Sequence, residues 1–215
     1  MNQAAWPPAP PLIAILRGLE SERAAAVGRV LFDAGFRALE VPLNRPGALA
    51  GIEALAGVAP PDALMGAGTV TEVGQVDAVA AAGGALIVSP HLDTGLVAHA
   101  RARGMRVVPG VFTPTEAFAA LRAGADALKL FPAETLSPAG LRALLSVLPA
   151  GTLAWPVGGV TPDAMARWRE AGANGFGIGG ALFGPGIALE ELARRAQAFV
   201  AAWTQAAPGK HGGEK

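Results

Sequence analysis

The sequence predicts a single (β/α)8 barrel, and three observations favour this fold class. Short runs of apolar and β-branched residues recur at intervals of roughly 20 to 25 residues, which is the spacing of βα units. Alanine-rich stretches between the runs carry apolar residues at helical spacing, as at Leu141, Leu144, Leu145 and Leu148. The length of 215 residues suits one such barrel, because these domains begin at about 200 residues.

The predicted elements alternate between strand and helix along the whole chain. Eight runs are predicted to be strands, namely residues 12–17, 38–43, 64–69, 85–90, 105–110, 127–132, 153–159 and 175–182. The start of one intervening helix is marked by Thr113-Pro114, and Glu116 completes a predicted capping box there. Eight strands that are each followed by a helix indicate a closed parallel barrel.

An open, doubly wound sheet is the alternative arrangement of the same elements. Its nucleotide-binding fingerprint is absent, since the GAG segment at residues 66–68 lacks the third glycine. We therefore expect one catalytic barrel domain over residues 12–206. A short proline-rich arm at 1–11 precedes it, and a tail at 207–215, rich in glycine and charge, is expected to be disordered.

The composition excludes several classes of function. The formal net charge is zero, so the sequence offers no broad basic surface for nucleic acid or an anionic membrane. The chain contains no cysteine, which excludes disulfides and thiolate metal sites. No apolar run approaches the ~20 residues of a membrane-spanning helix, and no signal peptide is recognisable. We expect a cytoplasmic protein with neither nucleic-acid nor membrane partners.

Two charged residues lie in predicted strands at positions that should face the barrel interior. Strand residues alternate between the interior and the surrounding helices. The leucines on either side of Lys129 suit the helix layer, so Lys129 is predicted to point inward. The apolar neighbours of Glu40 suit the helix layer in the same way, so Glu40 is also predicted to point inward.

Two more polar residues close predicted strands. Arg17 closes the first strand on the face of Ile15, and Thr69 closes the third strand on the face of Ala67. Like Lys129 and Glu40, they lie in the C-terminal half or at the end of their strands, where barrel enzymes carry their active sites. The sequence therefore predicts that these side chains meet at one mouth of the barrel.

The use of lysine points to a particular chemistry. Only three lysines occur against fourteen arginines, and Lys129 is the one lysine outside the C-terminal tail. Burial lowers the pKa of a lysine from about 10.4, whereas arginine stays protonated. A neutral amine can attack a carbonyl carbon and form a Schiff base.

Two alternatives to catalysis remain open for these charged residues. Lys129 and Glu40 could form a buried pair that only satisfies its own charges, and Glu40 could serve as a partner of Arg17. We favour catalysis, because perturbed charges at a barrel mouth are usually functional.

Glycine pairs follow the seventh and eighth predicted strands. They are Gly158-Gly159 and Gly179-Gly180. Barrels often bind phosphate at this place, through bare backbone N–H groups and a nearby helix N-terminus. The alternative is that these glycines only form tight turns with positive φ.

Five segments together resemble the KDPG/KDPGal aldolases, class I aldolases of the Entner–Doudoroff and De Ley–Doudoroff routes. The segments are PLIAILRG at residues 11–18, EVPLN at 40–44, GAGT at 66–69, LKLFP at 128–132 and VGGVTP at 157–162. The resemblance implies a homotrimer that binds a phosphorylated 2-keto acid and pyruvate. It also implies that the enzyme needs no metal and no cofactor beyond a covalent imine.

The resemblance implies roles for individual residues. Lys129 matches the Schiff-base lysine, and Glu40 matches the carboxylate that carries protons. Arg17 and Thr69 match positions that contact the substrate near its keto-acid end. The other substrate-binding residues that we expect are Pro90, Phe131, Val157, Gly158, Gly159, Gly179 and Gly180, with the four glycines on the phosphate-binding loops.

Within the family, two positions favour the galactonate-acting branch. Gluconate-type members usually carry an arginine four residues after the glutamate and a threonine before the Gly-Gly pair, where this chain has Asn44 and Val157. Pro42 and Asn44 together look like the galactonate type, although His91 replaces an expected asparagine and Gly180 replaces a common serine. The implied reaction is reversible cleavage of 2-dehydro-3-deoxy-6-phosphogalactonate to pyruvate and D-glyceraldehyde 3-phosphate.

Three other functions stay open at this point. The substrate could be the C4 epimer, 2-dehydro-3-deoxy-6-phosphogluconate, or both epimers. The barrel could instead be a phosphosugar isomerase or epimerase with Glu40 as its base. It could also bind a phosphorylated metabolite without turning it over.

Overall fold

The computed structural model of the protein describes residues 5–205, which form nine short strands and eight α-helices. The strands are β1 (Leu12–Ile15), β2 (Ala38–Pro42), β3 (Leu64–Gly68), β4 (Leu86–Val88), β5 (Arg106–Val108), β6 (Gly110–Val111), β7 (Leu128–Leu130), β8 (Ala154–Pro156) and β9 (Phe176–Ile178). The helices are α1 (Ser21–Asp33), α2 (Ala48–Ala56), α3 (Val73–Ala81), α4 (Thr94–Ala102), α5 (Pro114–Arg122), α6 (Pro138–Leu145), α7 (Pro162–Glu170) and α8 (Leu189–Gln205). A 3-10 helix, Ala133–Thr135, follows β7. The predicted tail at 207–215 lies outside the described residues.

The strands close into a parallel barrel. One set runs in the order β5-β4-β3-β2-β1-β9 and the other in the order β6-β7-β8. A parallel bridge between Val157 and Gly177 joins β8 to β9, and β5 continues into β6 around Pro109. The predicted (β/α)8 fold is therefore confirmed.

The predicted strand at 105–110 is interrupted at Pro109, which is a correction to the sequence-based boundaries. β5 pairs with β4 up to the Val88–Val108 pair, whereas β6 pairs with β7 through Gly110 and Lys129. Proline has no backbone N–H, so it interrupts the ladder of hydrogen bonds at this point. The interruption places Gly110 directly beside Lys129.

The barrel interior contains its own small core, separate from the larger core between the strands and the helices. Its buried members are Ile13, Ala38, Leu64, Leu86, Val88, Val108, Ala127 and Trp155. Trp6 from the proline-rich arm stacks on Trp155 with ring centroids 5.1 Å apart, and its indole N–H donates to the Asp126 carbonyl at 3.3 Å. Because Asp126 precedes β7, the arm closes the N-terminal end of the barrel and leaves polar side chains to the other end.

The helices begin largely as the sequence predicts. The capping box at the start of α5 is confirmed, since the Thr113 hydroxyl accepts from the Glu116 N–H and the Glu116 carboxylate accepts from the Thr113 N–H. Each contact satisfies a backbone N–H that the first turn of a helix leaves unpaired. No helix within residues 5–205 has the length and apolar character that a bilayer span requires.

Candidate active site

Lys129 and Glu40 both lie in the barrel interior, as the strand alternation predicts. Lys129 sits two residues beyond Ala127 on β7, and Glu40 sits two residues beyond Ala38 on β2, so each lies one layer above the interior core. Only 6% of Lys129 and 2% of Glu40 is exposed to solvent. Two ionisable groups are thus held away from water in the C-terminal half of the strands.

Burial shifts the pKa of each group in the direction that favours its uncharged form. Desolvation raises the pKa of Glu40 from 4.5 to about 7, against the opposing effect of the positive charges on Lys129 and Arg17. Desolvation also lowers the pKa of Lys129, an effect that the Glu40 charge opposes and the Arg17 charge reinforces. Burial therefore favours the neutral amine of Lys129 and the protonated carboxyl group of Glu40.

The surroundings of the pair leave it available for a ligand. Within the described part of the chain, Lys129 and Glu40 form no ion pair, and Glu40 Oε2 has no hydrogen-bond partner. Lys129 Nζ lies 4.5 Å from the centroid of the Phe131 ring. A buried carboxylate oxygen without a partner is costly, and a substrate oxygen or a water could satisfy it. The alternative of a buried pair that merely satisfies its own charges finds no ion pair to support it.

Gly68 makes room for the Glu40 carboxyl group, a requirement that the sequence reasoning missed. β2 and β3 pair so that Glu40 faces Gly66 and Pro42 faces Gly68. A Cβ built on Gly68 would collide with the Cδ and both oxygens of Glu40. The glycine is therefore a condition for the observed position of the carboxyl group. Only the cross-strand register reveals it, because nothing in the local sequence marks it.

The argument that grouped Thr69 with Ala67 on the interior face of β3 was wrong. Ala67 belongs to the core between strands and helices, whereas Gly68 adjoins Glu40 inside the barrel. Thr69 follows the end of β3 with a φ of 55°, the one positive φ of a non-glycine residue in the described part of the chain. The regular alternation of β3 therefore ends at this residue. A β-branched residue in that conformation is strained, and such strain concentrates at functional sites.

A cavity of about 460 Å³ opens at the ends of β1, β7, β8 and β9. Lys129 and Glu40 do not line it, but Phe131, whose ring adjoins Lys129 Nζ, does. Seven of the nine predicted substrate-binding residues line it, namely Arg17, Phe131, Val157, Gly158, Gly159, Gly179 and Gly180. Thr69 and Pro90 do not line this cavity; the Pro90 carbonyl instead packs where a Cβ on Gly110 would lie. The structure therefore brings most, but not all, of the predicted set together.

The two glycine pairs differ in whether their backbone conformation requires glycine. Gly158 and Gly159 have φ values of 111° and 62°, which L side chains rarely adopt. Neither Gly179 nor Gly180 has a positive φ, and a Cβ on Gly180 would meet nothing within 4 Å. Tight turns thus account for the first pair but not for the second.

Sequence reasoning also missed several residues that line the cavity. They are Ile15, Glu134, Val160, Thr161, Ala181, Phe183 and Pro185. Glu134 is the one that a local signal could have found, because it is a charged residue in the loop directly after the Lys129 strand. Its carboxylate lies against Gly158 and Gly159.

A buried lysine with a lowered pKa and a buried carboxyl group at the mouth of a parallel barrel suit an enzyme that works through a Schiff base. The model of the protein family described as "KDPG and KHG aldolase" matches residues 8–196. The chain therefore belongs to the KDPG/KHG aldolase family, and the resemblance read from the sequence is confirmed.

Individual proteins support the same assignment. The 2-dehydro-3-deoxy-6-phosphogalactonate aldolase of Escherichia coli (strain K12) is 45% identical over 201 residues, which cover 94% of this chain and 98% of that protein. A solved structure described as native KDPGal matches with a TM-score of 0.89 and 45% identity, over 91% of this chain and 95% of that one. A cube-shaped protein cage, designed by fusing symmetric oligomeric domains, matches with a TM-score of 0.89 and 44% identity, over 94% of this chain and 74% of that one.

Proposed function

We propose that this protein is a class I aldolase that reversibly cleaves 2-dehydro-3-deoxy-6-phosphogalactonate to pyruvate and D-glyceraldehyde 3-phosphate, through an imine on Lys129. The observation that carries the proposal is the buried amine of Lys129 beside the buried, unpartnered carboxyl group of Glu40. The lowered pKa of Lys129 supports it, because only the neutral amine is a nucleophile.

The first half of the reaction forms the imine. The neutral amine of Lys129 attacks the C2 carbonyl and gives a carbinolamine. Glu40, with a pKa raised to about 7, can hold a proton near neutral pH and deliver it to the departing hydroxyl group as water leaves. The product is a protonated imine, which withdraws electrons from the neighbouring bonds.

The second half breaks the carbon–carbon bond. The Glu40 carboxylate accepts the proton of the C4 hydroxyl group, the C3–C4 bond breaks, and its electron pair moves into the imine to form an enamine. Glyceraldehyde 3-phosphate leaves as the aldehyde. Protonation of the enamine at C3 and hydrolysis of the imine then release pyruvate and restore the free amine of Lys129.

The glycine-lined cavity suits the phosphorylated end of the substrate. Its loops at 157–159 and 179–180 offer backbone N–H groups, and α7 begins next to the first loop. Arg17, which the resemblance assigns to the keto-acid end, lines the same cavity and adds a positive charge there. Holding the phosphate there would fix the C3–C4 bond relative to Lys129, and such positioning accounts for much of enzymatic rate enhancement. Contacts of Thr69 with the keto-acid end and of Pro90 with the substrate remain part of the proposal.

The galactonate configuration is supported by two relatives of this chain. The E. coli protein that is 45% identical is named for that substrate, and so is the matching native structure. Pro42 and Asn44 also follow the galactonate pattern. The gluconate epimer stays the alternative, and parallel assays of both C4 epimers with coupled detection of the released aldehyde would separate them. Equal rates would contradict the galactonate preference.

Three further parts of the proposal concern the setting of the enzyme. We expect a homotrimer, and the match to a cage built from symmetric oligomeric domains supports an oligomer. We also expect catalysis without metal or cofactor, since the imine itself supplies the electron sink, and a cytoplasmic location. Light scattering on the purified protein tests the trimer, and assays after treatment with a chelator test the absence of a metal.

Trapping of the imine is the decisive experiment. The protein is incubated with pyruvate and borohydride, which reduces an imine to a stable amine, and the modified peptide is identified by mass spectrometry. We expect the label on Lys129 alone and full loss of activity. The matched variant Lys129→Arg keeps the charge but has no nucleophilic amine, so it should be neither labelled nor active. Labelling elsewhere, or turnover without labelling as in an isomerase, would refute the imine.

A further inference from the structure

The glycine-lined cavity contains a negative charge at the place proposed for the phosphate. The carboxylate of Glu134 packs against the loop so closely that a Cβ on Gly158 would collide with it, and a Cβ on Gly159 would lie 2.8 Å from its Cγ. Within residues 5–205, Arg17 and Glu134 are the two charged residues that line this cavity. The anion-binding loop is therefore flanked by a positive and a negative side chain.

The backbone at Glu134 is anchored to the end of β8, while the residue itself is exposed to solvent. It lies on the 3-10 helix Ala133–Thr135, and the Ala133 N–H donates to the Val157 carbonyl at 2.9 Å, which ties this helix to the end of β8. Among residues 5–205 the Glu134 carboxylate has no hydrogen-bond or ion-pair partner. Its negative charge is thus not neutralised by a neighbour and acts on whatever anion enters the cavity.

We propose that Glu134 is a specificity-determining residue that weakens the binding of phosphate at the Gly158-Gly159 loop. The inference rests on the proposed function in one respect, namely that this loop holds the phosphate of the substrate. Backbone N–H groups and Arg17 attract the anion, whereas the Glu134 carboxylate repels it. The residue thereby limits how tightly a phosphorylated substrate or product is held.

The direction of the change in KM distinguishes repulsion of the phosphate from a role in binding the substrate. A carboxylate that accepted a hydrogen bond from a substrate hydroxyl group would strengthen binding, and its loss would raise KM. A carboxylate that repels the phosphate weakens binding, and its loss lowers KM. The contact with the glycine loop itself favours repulsion, since the carboxylate lies against Gly158 and Gly159, the residues proposed to hold the anion.

Calorimetry with inorganic phosphate tests the proposal without any turnover. The substitution Glu134→Gln keeps the shape of the side chain and removes its charge. We expect phosphate to bind the variant about 3- to 10-fold more tightly than the wild-type protein at low ionic strength, with the difference shrinking at high salt. Glu53→Gln is the matched control, because Glu53 is exposed on α2 and does not line the cavity. Unchanged or weaker binding by Glu134→Gln, or no phosphate binding by either protein, would overturn the inference.

Kinetics give a second and independent measurement. The ratio of kcat/KM for the phosphorylated keto acid to kcat/KM for its unphosphorylated counterpart should rise about 3- to 10-fold in Glu134→Gln, through KM for the phosphorylated substrate. The gain should be larger above pH ~6, where a phosphate monoester is a dianion. A ratio that stays constant or falls would contradict the role. Failure of imine trapping would remove the proposed aldolase reaction but would leave the calorimetric comparison valid, so the two hypotheses fail separately.

Discussion

The two ends of the barrel interior are built from the same strands but have opposite character. At the N-terminal end, Ala38, Ala127 and Trp155 form a dry core that Trp6 closes. Two residues further along their strands, Glu40 and Lys129 are buried with their charges only partly compensated. A single step in the alternation therefore separates an apolar layer that stabilises the fold from a charged layer whose burial costs stability. Activity and stability should therefore respond oppositely to changes at the two ends.

The largest effect is expected from Lys129→Met. Removing the amine should lower kcat/KM at least ~10⁴-fold and abolish borohydride trapping, because no imine can form. Replacing a buried ionisable side chain by an apolar one of similar length should leave the free energy of unfolding unchanged or raise it by about 1 kcal/mol. Urea unfolding and steady-state kinetics measure both quantities. A clearly less stable variant would show that Lys129 supports the fold and would blur the contrast between the two ends.

Glu40→Gln should follow, with a loss of kcat/KM on the order of 10²- to 10⁴-fold, because the amide cannot transfer protons. The stability of the wild-type protein should depend on pH through this carboxyl group. The pKa of Glu40 is about 7 in the folded protein against 4.5 as its ordinary value, so the folded state holds a proton that the unfolded state releases. The contribution of Glu40 is therefore most favourable below pH 4.5 and is lost as the pH rises to about 7.

The glutamine variant lacks this titration, so it should gain stability over the wild-type protein as the pH rises. The gain should reach on the order of 3 kcal/mol at pH 8, since a tenfold change in proton affinity corresponds to about 1.4 kcal/mol. Urea unfolding at pH 4.5 and pH 8 measures the difference at both ends of the range. If the variant and the wild-type protein differ in stability by the same amount at both pH values, burial does not hold Glu40 in its protonated form.

Gly68→Ala should have a smaller effect, which would come from misplacing Glu40. The added Cβ would collide with the Glu40 carboxyl group, and we expect kcat to fall about 10- to 100-fold, in line with the sensitivity of catalysis to small displacements. Lys129 should still be trapped with pyruvate, and the limb of the pH–rate profile that reports Glu40 should shift. Gly74→Ala is the matched control, because a Cβ there would meet nothing within 4 Å. Loss of trapping together with activity would point to a collapsed site rather than a displaced carboxyl group.

The same contrast explains which features of the fold could be predicted from the sequence. Lys129 and Glu40 were found because alternation along a strand is a local rule, and a charge flanked by leucines violates it visibly. The rule does not extend to Thr69, because its left-handed backbone at the end of β3 breaks the alternation. The split at Pro109 could have been foreseen from the missing N–H of proline.

The remaining features depend on neighbours that are distant in sequence. The need for glycine at position 68 follows from the register of β2 against β3, and the place of Glu134 follows from the packing of one loop on another. The glycine leaves no local pattern. The charge of Glu134 directly after the Lys129 strand marks the loop, but it does not reveal the contact with Gly158. The stacking of Trp6 on Trp155 is of the same kind, because the arm lies far from β8 in sequence and meets it only in the closed barrel.

Trp6→Ala should change activity less than the substitutions above. It tests the N-terminal end of the barrel interior. The variant loses the stacking on Trp155 and the hydrogen bond to the Asp126 carbonyl, and we expect the free energy of unfolding to fall by about 2 kcal/mol, below the range for a fully buried aromatic residue. The kcat/KM of the folded variant should stay within about twofold of the wild-type value, because Trp6 closes the end opposite to Lys129. Val147→Ala is the control, since Val147 is 55% exposed and its truncation should change stability by less than about 0.5 kcal/mol. A strong loss of activity in Trp6→Ala at unchanged stability would show that the two layers are coupled through the strands and that the dry end also shapes the site.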